Sequence, residues 1–491
     1  MKRFILIAIV FICGAGLMIM ELVGSRILAP YVGTSLIVWT TLIGVILAAL
    51  SFGYWIGGHY ADRHPSPKHL GAIIGLSGLF IFFALWLSSF LPQINLILIN
   101  WLSLGAAAFC MSCLLFVIPS ILLGAVSPFA LRLSLNETAH SGAIGGQLYA
   151  FSTLGSIVGT FLAGFVLIPQ LGSFKTLALV SVILVLCSVI LLRTKTTLMI
   201  TVFIAVGCSA VWNNTFLFSP SANVLAEHES AYNRLFIVNG ISQKTEEPIL
   251  SIMSGPHISQ SAMYTDRDEL VFEYTKFFNI ADYFNPTIKS ALMLGGGAYS
   301  FPKDYLKTHS GTIDVVEIDP LYTELAKKYF NLTDNERLNV HHEDARVFLS
   351  RSQEAYDAIY VDVFNNAGSV PFQLATKEFV AQIFERLSDN GVVIVNLVGS
   401  FEGVGREFIE NEYVTYQSVF PELLMYPLDS PGGENIQNIM LVALKNPAAL
   451  KNTTINQEQQ AFFNKLYSHT ITGNILTDDW APVDYYLSGI Y

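Results

Sequence analysis

The chain has 491 residues, of which 52% are hydrophobic and 13% are charged, well below the roughly 25% charged residues of a typical soluble domain. Residues 1–215 hold nine Lys or Arg and three Asp or Glu, so they carry +6 of the formal net charge of −11 and leave −17 for the rest. All five cysteines lie in this apolar part, so the sequence supports neither a disulfide framework nor a zinc site.

Residues 1–217 predict an α-helical transmembrane bundle. A spanning helix needs roughly 20 mainly apolar residues. Seven stretches qualify: 4–24, 36–57, 70–91, 105–128, 145–168, 174–192 and 197–217. The first is interpreted as a span and not as a signal peptide, because it lacks a small-residue cleavage site and further spans follow it closely. A shorter stretch at 93–104 is expected at the interface, and an eighth span within 93–128 stays open.

The segment GGHYADRHPSPK (57–68) resembles the short loop motif of major-facilitator transporters, with Gly57, Asp62 and Arg63 at matching places. Such a loop is a tight turn whose charges hold neighbouring helix ends together. Because seven spans are too few for that complete fold, we interpret the segment as a structural turn and keep transport as an alternative.

The acidic half predicts two further regions. The runs AYNRLFIVNG and PILSIMSG alternate apolar and polar residues between turn residues, which indicates a small β-hairpin subdomain over 218–285. From about residue 289 short apolar strands alternate with helices: SALMLGG, TIDVVEID, LNVHHED, YDAIYVDVF and GVVIVNLV read as the strands. This alternation predicts an α/β Rossmann-like domain over 286–491, with a parallel sheet and right-handed crossovers.

Ligands of such sheets bind beyond the carboxyl ends of the strands, and these ends carry polar residues. The first strand leads into Gly295, Gly296 and Gly297, which let a ligand approach the backbone at a helix N-terminus. The next three strands end in Glu317, in Glu343-Asp344 and in Asp362. An acidic side chain about 20 residues after the glycines can accept hydrogen bonds from ribose hydroxyls. The alternative is that these acids are solvated caps or turn residues.

The strand-end pattern resembles S-adenosylmethionine-dependent methyltransferases and, more closely, the spermidine synthase (aminopropyltransferase) family. LMLGGGAYSFPKDYLK resembles that family's GGGDG turn, and VVEIDP, EDARVFL and YDAIYVDVF resemble its next three motifs. PFQLATKEF resembles the segment after the family's catalytic loop, and LTDDWAPVDYY resembles a tail of its membrane-fused members, whose spans the N-terminal part also resembles. The resemblance covers about residues 228–486.

This resemblance implies site residues and a co-substrate. Gln260, Gly295, Gly296 and Gly297, together with Glu317, Asp344 and Ala345, would bind decarboxylated S-adenosylmethionine or S-adenosylmethionine, and Asp362 would be catalytic, with no metal. The family carries an Asp where this chain has Ala298, and a second acid where it has Asn365. In the family these groups bind the diamine or deprotonate its attacking nitrogen. We therefore expect ordinary putrescine to be a poor acceptor.

Three functions stay open at this point. The first is a membrane-anchored, spermidine synthase-like transferase in polyamine biosynthesis; the second is a methyltransferase acting on a membrane-soluble acceptor; the third is a non-catalytic, nucleoside-sensing transporter. We expect a multi-pass protein of the cell inner membrane with its C-terminal domain in the cytosol, although a seven-span count with the positive-inside rule argues for the other side. The expected partners are the lipid bilayer and a small-molecule amine or membrane-soluble acceptor, with no nucleic acid; a homodimer stays open.

Overall fold

The structure is a computed structural model that describes most of the chain. The described residues are 3–98, 101–135, 141–192, 207, 223–255, 259–364, 370–430, 432–448 and 457–487. The chain divides into two compact units, Met1–Ala222 with Glu229–Ala231, and Asn223–His228 with Tyr232–Tyr491. The predicted domain boundaries after residues 217 and 285 stay predictions.

The first unit is a bundle of α-helices. They are α1 Arg3–Val32, α2 Leu36–Arg63, α3 Pro67–Ser88, α4 Leu91–Leu98, α5 Leu104–Ser134, α6 Ser141–Leu162, α7 Ile168–Leu171 and α8 Ser173–Leu192, with a π-helical turn at Ala163–Leu167 between α6 and α7. Among the described residues, six helical stretches are long and apolar enough to cross a membrane, with α6 and α7 counted as one. They confirm the first six predicted spans as helices of spanning length, whereas the seventh, 197–217, lies outside the described residues except for Gly207.

Glycines allow the helix backbones of the first unit to approach closely. A Cβ atom on Gly155 of α6 would lie 2.0 Å from the carbonyl oxygen of Phe11 in α1, and one on Gly57 of α2 would lie 2.5 Å from the Cα of Ala125 in α5. Such contacts are typical of membrane helix packing. The ends of α2 and α5 are also joined by an ion pair, with Arg132 Nε 3.2 Å from Asp62 Oδ1. This pair supports the interpretation of the segment 57–68, where α2 ends and α3 begins, as a structural turn.

The second unit begins with a four-stranded sheet. Its strands are β1 Val224–Glu229, β2 Arg234–Ile241, β3 Pro248–Met253 and β4 Ser259–Tyr264, in that spatial order. The antiparallel pair of β2 and β3 is the predicted hairpin. The sheet is larger than predicted, because β1 and β4 extend the hairpin on either side.

A seven-stranded sheet forms the rest of the unit. Its strands are β5 Ser290–Leu294, β6 Thr312–Val316, β7 Leu338–His341, β8 Tyr356–Val361, β9 Leu387–Gly399, β10 Glu422–Pro427 and β11 Gln437–Leu444, in the spatial order β10-β11-β9-β8-β5-β6-β7. The five predicted strands are β5 to β9, and they pair in parallel. The last two strands, which sequence reasoning did not predict, join the sheet antiparallel through β9.

Helices cover this sheet. They are α9 Glu273–Phe277, α10 Ala281–Phe284, α11 Ser300–Thr308, α12 Pro320–Tyr329, α13 Ala345–Arg351, α14 Lys377–Glu385, α15 Arg406–Gln417, α16 Gln457–Phe463 and α17 Val483–Leu487. Successive strand residues point to opposite faces, so Leu292 and Leu294 of β5 lie in one apolar core while Ala291 and Met293 lie in the other. Burial on both faces explains why the central strands are nearly continuous apolar runs.

Candidate active site

The glycine turn after β5 is built around two left-handed residues. Gly295 has φ +93° and Gly297 has φ +52°. A Cβ atom on Gly295 would lie 2.1 Å from the carbonyl oxygen of Asp362, so only glycine fits at this position. The amide of Asp362 in turn donates to the carbonyl of Leu294 at 2.9 Å. The turn after β5 and the start of the loop after β8 are therefore packed backbone to backbone.

Glu317 follows β6 and lies against this turn. Its Oε2 accepts a hydrogen bond from the amide of Gly296 at 2.9 Å, and its Oε1 accepts one from the amide of Asp319 at 3.0 Å. The side chain is 7% exposed. Burial raises the pKa of the Glu317 carboxyl to about 7, and the backbone donors of Asp319 and Gly296 limit that rise. Because each carboxylate oxygen can accept more than one hydrogen bond, the group keeps capacity for ribose hydroxyls.

Asp344 and Ala345 stand where β7 leads into α13. Asp344 caps this helix, because its Oδ1 accepts from the amides of Arg346 at 2.9 Å and Val347 at 3.1 Å. The capping role that we kept as an alternative is therefore present in the structure. It uses Oδ1 alone, so a role for Oδ2 in nucleoside binding stays a prediction. Ala345 is the first residue of the helix and is buried.

Gln260 of β4 lies beside the glycine turn. The side chain of the next residue, Ser261, is 3.5 Å from where a Cβ atom of Gly297 would stand. The Gln260 amide nitrogen donates to Ser254 Oγ at 2.8 Å, and its backbone carbonyl accepts from the Tyr274 hydroxyl at 3.3 Å. The four-stranded sheet thus places Ser261 beside the turn, and the contact of Gln260 with a nucleoside stays a prediction.

Asp362 follows β8 on the same face of the sheet as Gly295 and Glu317. Its Oδ1 accepts a hydrogen bond at 2.9 Å from the side-chain amide of Asn396 in β9. Burial raises the pKa of Asp362 to about 6, and the bond from Asn396 opposes that rise. Tyr274 of α9 faces it: burial raises the pKa of this phenol well above its usual value, and the charge of Asp362 adds to the shift.

The two residues that follow the glycine turn, Ala298 and Tyr299, are packed inside the domain. Ala298 is fully buried in an apolar cluster that includes Leu235 and Met263 of the four-stranded sheet. Tyr299 is also fully buried, and its hydroxyl lies 2.7 Å from Thr323 Oγ1. The other altered position, Asn365, is outside the described residues. Tyr299 is therefore a packing residue beneath the turn and not a contact for an acceptor.

Sequence reasoning missed three residues near Asp362: Tyr274, Asn396 and Asn438. Asn438 of β11 donates from its amide nitrogen to Asn396 Oδ1 at 2.9 Å. A signal was present, because Asn396 is the single polar residue inside the run GVVIVNLV, where an unpartnered amide is costly. Tyr274 gave no usable signal, because it lies in none of the segments that resemble the family's motifs.

Among the described residues, no group of three or more His, Cys, Asp or Glu side chains is arranged to hold a metal ion. The prediction that the site works without a metal stays a prediction. The arrangement at the strand ends offers a backbone cradle with two acids on one side and a single acid, Asp362, on the other.

Residues 273–445 match the family described as the spermine/spermidine synthase domain. The chain is 30% identical over 198 residues to the polyamine aminopropyltransferase of Vibrio vulnificus (strain CMCP6), which covers 39% of this chain and 64% of that protein. It is 29% identical over 310 residues to the probable polyamine aminopropyl transferase of Bifidobacterium longum (strain NCC 2705), which covers 58% of this chain and 66% of that protein.

A third similarity leads to a different reaction. Over 142 residues the chain is 33% identical to the N-terminal histidine N-methyltransferase of Emericella nidulans (strain FGSC A4), which covers 28% of this chain and 24% of that protein. The chain thus spans about two thirds or less of each of these relatives. The parallel sheet, the glycine turn and the matched segment together show that the second unit carries a domain of the spermine/spermidine synthase family.

Proposed function

We propose that the second unit transfers an aminopropyl group from decarboxylated S-adenosylmethionine to an amine acceptor other than ordinary putrescine. The observation that carries this proposal is the position of Asp362. It is a carboxylate at the carboxyl end of β8, packed against the glycine turn that would hold the donor. An acid in this place can accept the proton that an attacking ammonium must lose.

The donor side of the proposal uses the residues around the turn. Gly295, Gly296 and Gly297 give the backbone approach, and Glu317 would accept from the ribose hydroxyls. Asp344 and Ala345, at the start of α13, would contact the adenine. Gln260 of β4 would contact the nucleoside from the four-stranded sheet, whose Ser261 lies beside Gly297.

The chemistry on the acceptor side is a displacement at carbon. The acceptor ammonium gives one proton to Asp362 and becomes a neutral amine with a free electron pair. That pair forms a new C–N bond to the carbon next to the donor sulfonium, while the C–S bond breaks and its electrons return to sulfur. The products are the alkylated ammonium and an uncharged thioether nucleoside, so one carboxylate is enough for the proton transfer.

Binding a diamine needs more charge than this site offers. The second ammonium of putrescine would need its own anionic partner, and each charge-assisted hydrogen bond is worth roughly 1.5–3 kcal/mol. This chain has Ala298 and Asn365 at the two positions where the family carries acids. Ala298 is buried among apolar side chains. An acid at that position would be desolvated, so a substitution there would not simply restore the missing charge.

The bilayer enters the proposal through the first unit. The six apolar helices of spanning length among its described residues support an anchor in the cell inner membrane, and we propose that the second unit lies in the cytosol, where the donor is made. A membrane-soluble amine would then reach the site from the bilayer. Reporter fusions after Tyr491 test the orientation. If an alkaline phosphatase fusion is strongly active and a green fluorescent protein fusion does not fluoresce, this unit lies outside the cytosol. That result would contradict the expectation that the unit uses a donor made in the cytosol.

A second candidate reaction is methyl transfer from S-adenosylmethionine to a membrane-soluble acceptor. The observation that favours it is the similarity to a histidine N-methyltransferase. Both reactions use the same cradle and break a C–S bond of a sulfonium. They differ in which carbon is attacked and therefore in the nucleoside that is released.

The deciding experiment mixes purified full-length protein in detergent with each donor and a panel of monoamines, diamines and lipid-extractable amines. Release of methylthioadenosine from the decarboxylated donor supports the proposal, and release of S-adenosylhomocysteine supports methyl transfer. Donor binding measured by calorimetry without any turnover would instead favour a nucleoside-sensing transporter. Efficient transfer to putrescine would contradict the proposed acceptor class.

A further inference from the structure

Four residues on neighbouring strands meet on one face of the sheet at its carboxyl edge. In the parallel pair of β8 and β9, Val361 lies opposite Val395, so the residues that follow them, Asp362 and Asn396, are neighbours. In the antiparallel pair of β9 and β11, Met440 lies opposite Asn396, and Asn438 is two residues further along the same face. Gly295 of the glycine turn lies on the other side of Asp362.

These side chains form a directed chain of hydrogen bonds. Asn438 Nδ2 donates to Asn396 Oδ1 at 2.9 Å, and Asn396 Nδ2 donates to Asp362 Oδ1 at 2.9 Å. An ionised carboxylate can only accept, so the Asn396 amide must turn its nitrogen towards Asp362 and its oxygen towards Asn438. Asn396 is 4% exposed, which leaves it little freedom to bind water instead.

We propose that Asn396 is a positioning residue, which holds the Asp362 carboxylate by one oxygen and leaves Oδ2 to the acceptor amine, and that Asn438 fixes the orientation of the Asn396 amide. The assignment of Oδ2 to the acceptor amine rests on the proposed function. Within the described part of the chain, Oδ2 makes no hydrogen bond to protein. The bond to Oδ1 therefore sets the rotamer of the acid without occupying the oxygen that takes the proton.

The same bond keeps the acid ionised. Burial favours the protonated form of Asp362, and a donated hydrogen bond favours the carboxylate. Among the described residues, Tyr274 of α9 interacts electrostatically with Asp362; its own pKa is raised, so it stays neutral at ordinary pH. Glu317 follows β6, on the far side of β5. Loss of the Asn396 donor should therefore raise the pKa of Asp362.

The chain offers a matched control for this test. Asn446 Nδ2 donates to Asn390 Oδ1 at 2.9 Å, so a second Asn–Asn pair joins β9 to the end of β11 at the opposite edge of the sheet, in an exposed position. The substitutions Asn396→Leu, Asn438→Leu and Asn446→Leu thus remove comparable amides from the same two segments. Only the first two lie in the chain of bonds to Asp362.

The experiment titrates Asp362 in full-length protein by infrared difference spectroscopy. The carboxyl C=O band of Asp362 is identified by its absence in Asp362→Asn, and the midpoint of its titration is measured in each variant. We expect the midpoint to rise by roughly one pH unit in Asn396→Leu, by less in Asn438→Leu, and not at all in Asn446→Leu. The acid limb of the kcat profile should move by the same amounts.

The outcomes separate this inference from the proposed function. An unmoved midpoint in Asn396→Leu, or an equal shift in Asn446→Leu, overturns the positioning role even if the enzyme is active. The expected shifts in a protein that turns over neither donor would support the positioning of Asp362 and contradict its role as a base. Asn438→Leu, at a partly exposed position, keeps the test valid if Asn396→Leu does not fold.

Discussion

The nucleoside side of the site and its acceptor side hold their carboxylates in different ways. Glu317 and Asp344 accept hydrogen bonds from backbone amides, which belong to the same turns or to the glycine turn nearby. Asp362 accepts from the side chain of Asn396 on a neighbouring strand. Backbone donors are fixed once the turn has formed, whereas a side-chain donor depends on tertiary packing. The nucleoside side is therefore held by backbone amides, which a side-chain substitution does not remove, and the acceptor side can vary with single substitutions.

The largest effect is expected for Asp362→Asn, which tests the acceptor side of the site. The substitution keeps the shape but removes the charge and the basicity, so we expect turnover to fall by roughly 10²–10⁴-fold with little change in donor affinity. Turnover is measured as thioether nucleoside released, and donor affinity is measured by calorimetry. Asp389→Asn, at an exposed position of β9, is the control. Full turnover in Asp362→Asn would make this acid a structural cap.

Glu317→Gln tests the nucleoside side. Loss of the charged acceptor should weaken binding of the thioether product by roughly 1.5–3 kcal/mol. Because the pKa of Glu317 is raised to about 7, the wild-type affinity should also rise with pH as the carboxylate ionises around pH 7. Calorimetry between pH 6 and pH 8.5 checks both effects, and the pH dependence should be absent in Glu317→Gln. A variant with wild-type affinity at pH 8 would remove Glu317 from the site.

A buried carboxyl without a partner shows what burial does alone. Glu412 of α15 is 2% exposed, its Oε1 has no hydrogen-bond partner, and burial raises its pKa well above the usual value. When folding raises the pKa of an acid, the folded protein loses stability as the pH increases above the unfolded-state pKa of roughly 4.3. The loss is roughly 1.4 kcal/mol per pH unit and ends once the pH passes the folded-state pKa.

We therefore expect Glu412→Gln to raise the thermal midpoint of unfolding, and to do so more at pH 8 than at pH 5. The midpoint is followed by circular dichroism on the full chain in detergent. Glu407→Gln, exposed on the same helix, is the matched control and should change little at either pH. An equal gain at both pH values would mean that the pKa of Glu412 is the same in the folded and the unfolded protein.

The smallest effect is expected at the C-terminal tail. Asp478 pairs with Arg346 of α13 and accepts from Thr376 Oγ1 at 2.8 Å, and these hydrogen bonds hold its pKa below the usual value. This stabilisation is present above the unfolded-state pKa of roughly 3.9 and is lost as pH falls through the lowered folded-state pKa. Since Asp478 is partly exposed, Asp478→Asn should cost at most about 1 kcal/mol.

Differential scanning fluorimetry at pH 7 measures this cost, with Asp479→Asn on the neighbouring exposed residue as the control. Because Arg346 directly follows the residues assigned to the adenine, nucleoside affinity is measured in parallel. A large loss of affinity with no loss of stability would assign the tail to the nucleoside side of the site.

The comparison also explains what could be predicted from the sequence. The parallel strands and the acids at their ends could be predicted from local patterns. A glycine turn, a capping Asp and an apolar run can each be recognised within about ten residues of sequence. Asn396 and Asn438 lie 42 positions apart, and Tyr274 is placed near Asp362 by the packing of α9 on the sheet. Such partners depend on strand order and register, including those of the antiparallel β10 and β11, which sequence reasoning did not predict.

Gly295 has a consequence for how such sites can change over time. Any side chain at this position would push the backbone of Asp362 away. One substitution at Gly295 would therefore disturb both the glycine turn and Asp362. A related protein without this glycine should also lose Asp362 as a base. A related protein with a change at Asn396 or Asn438 can differ in its preferred acceptor and still bind the same nucleoside. We therefore expect relatives with new acceptors to differ at the amides and to agree at the glycine.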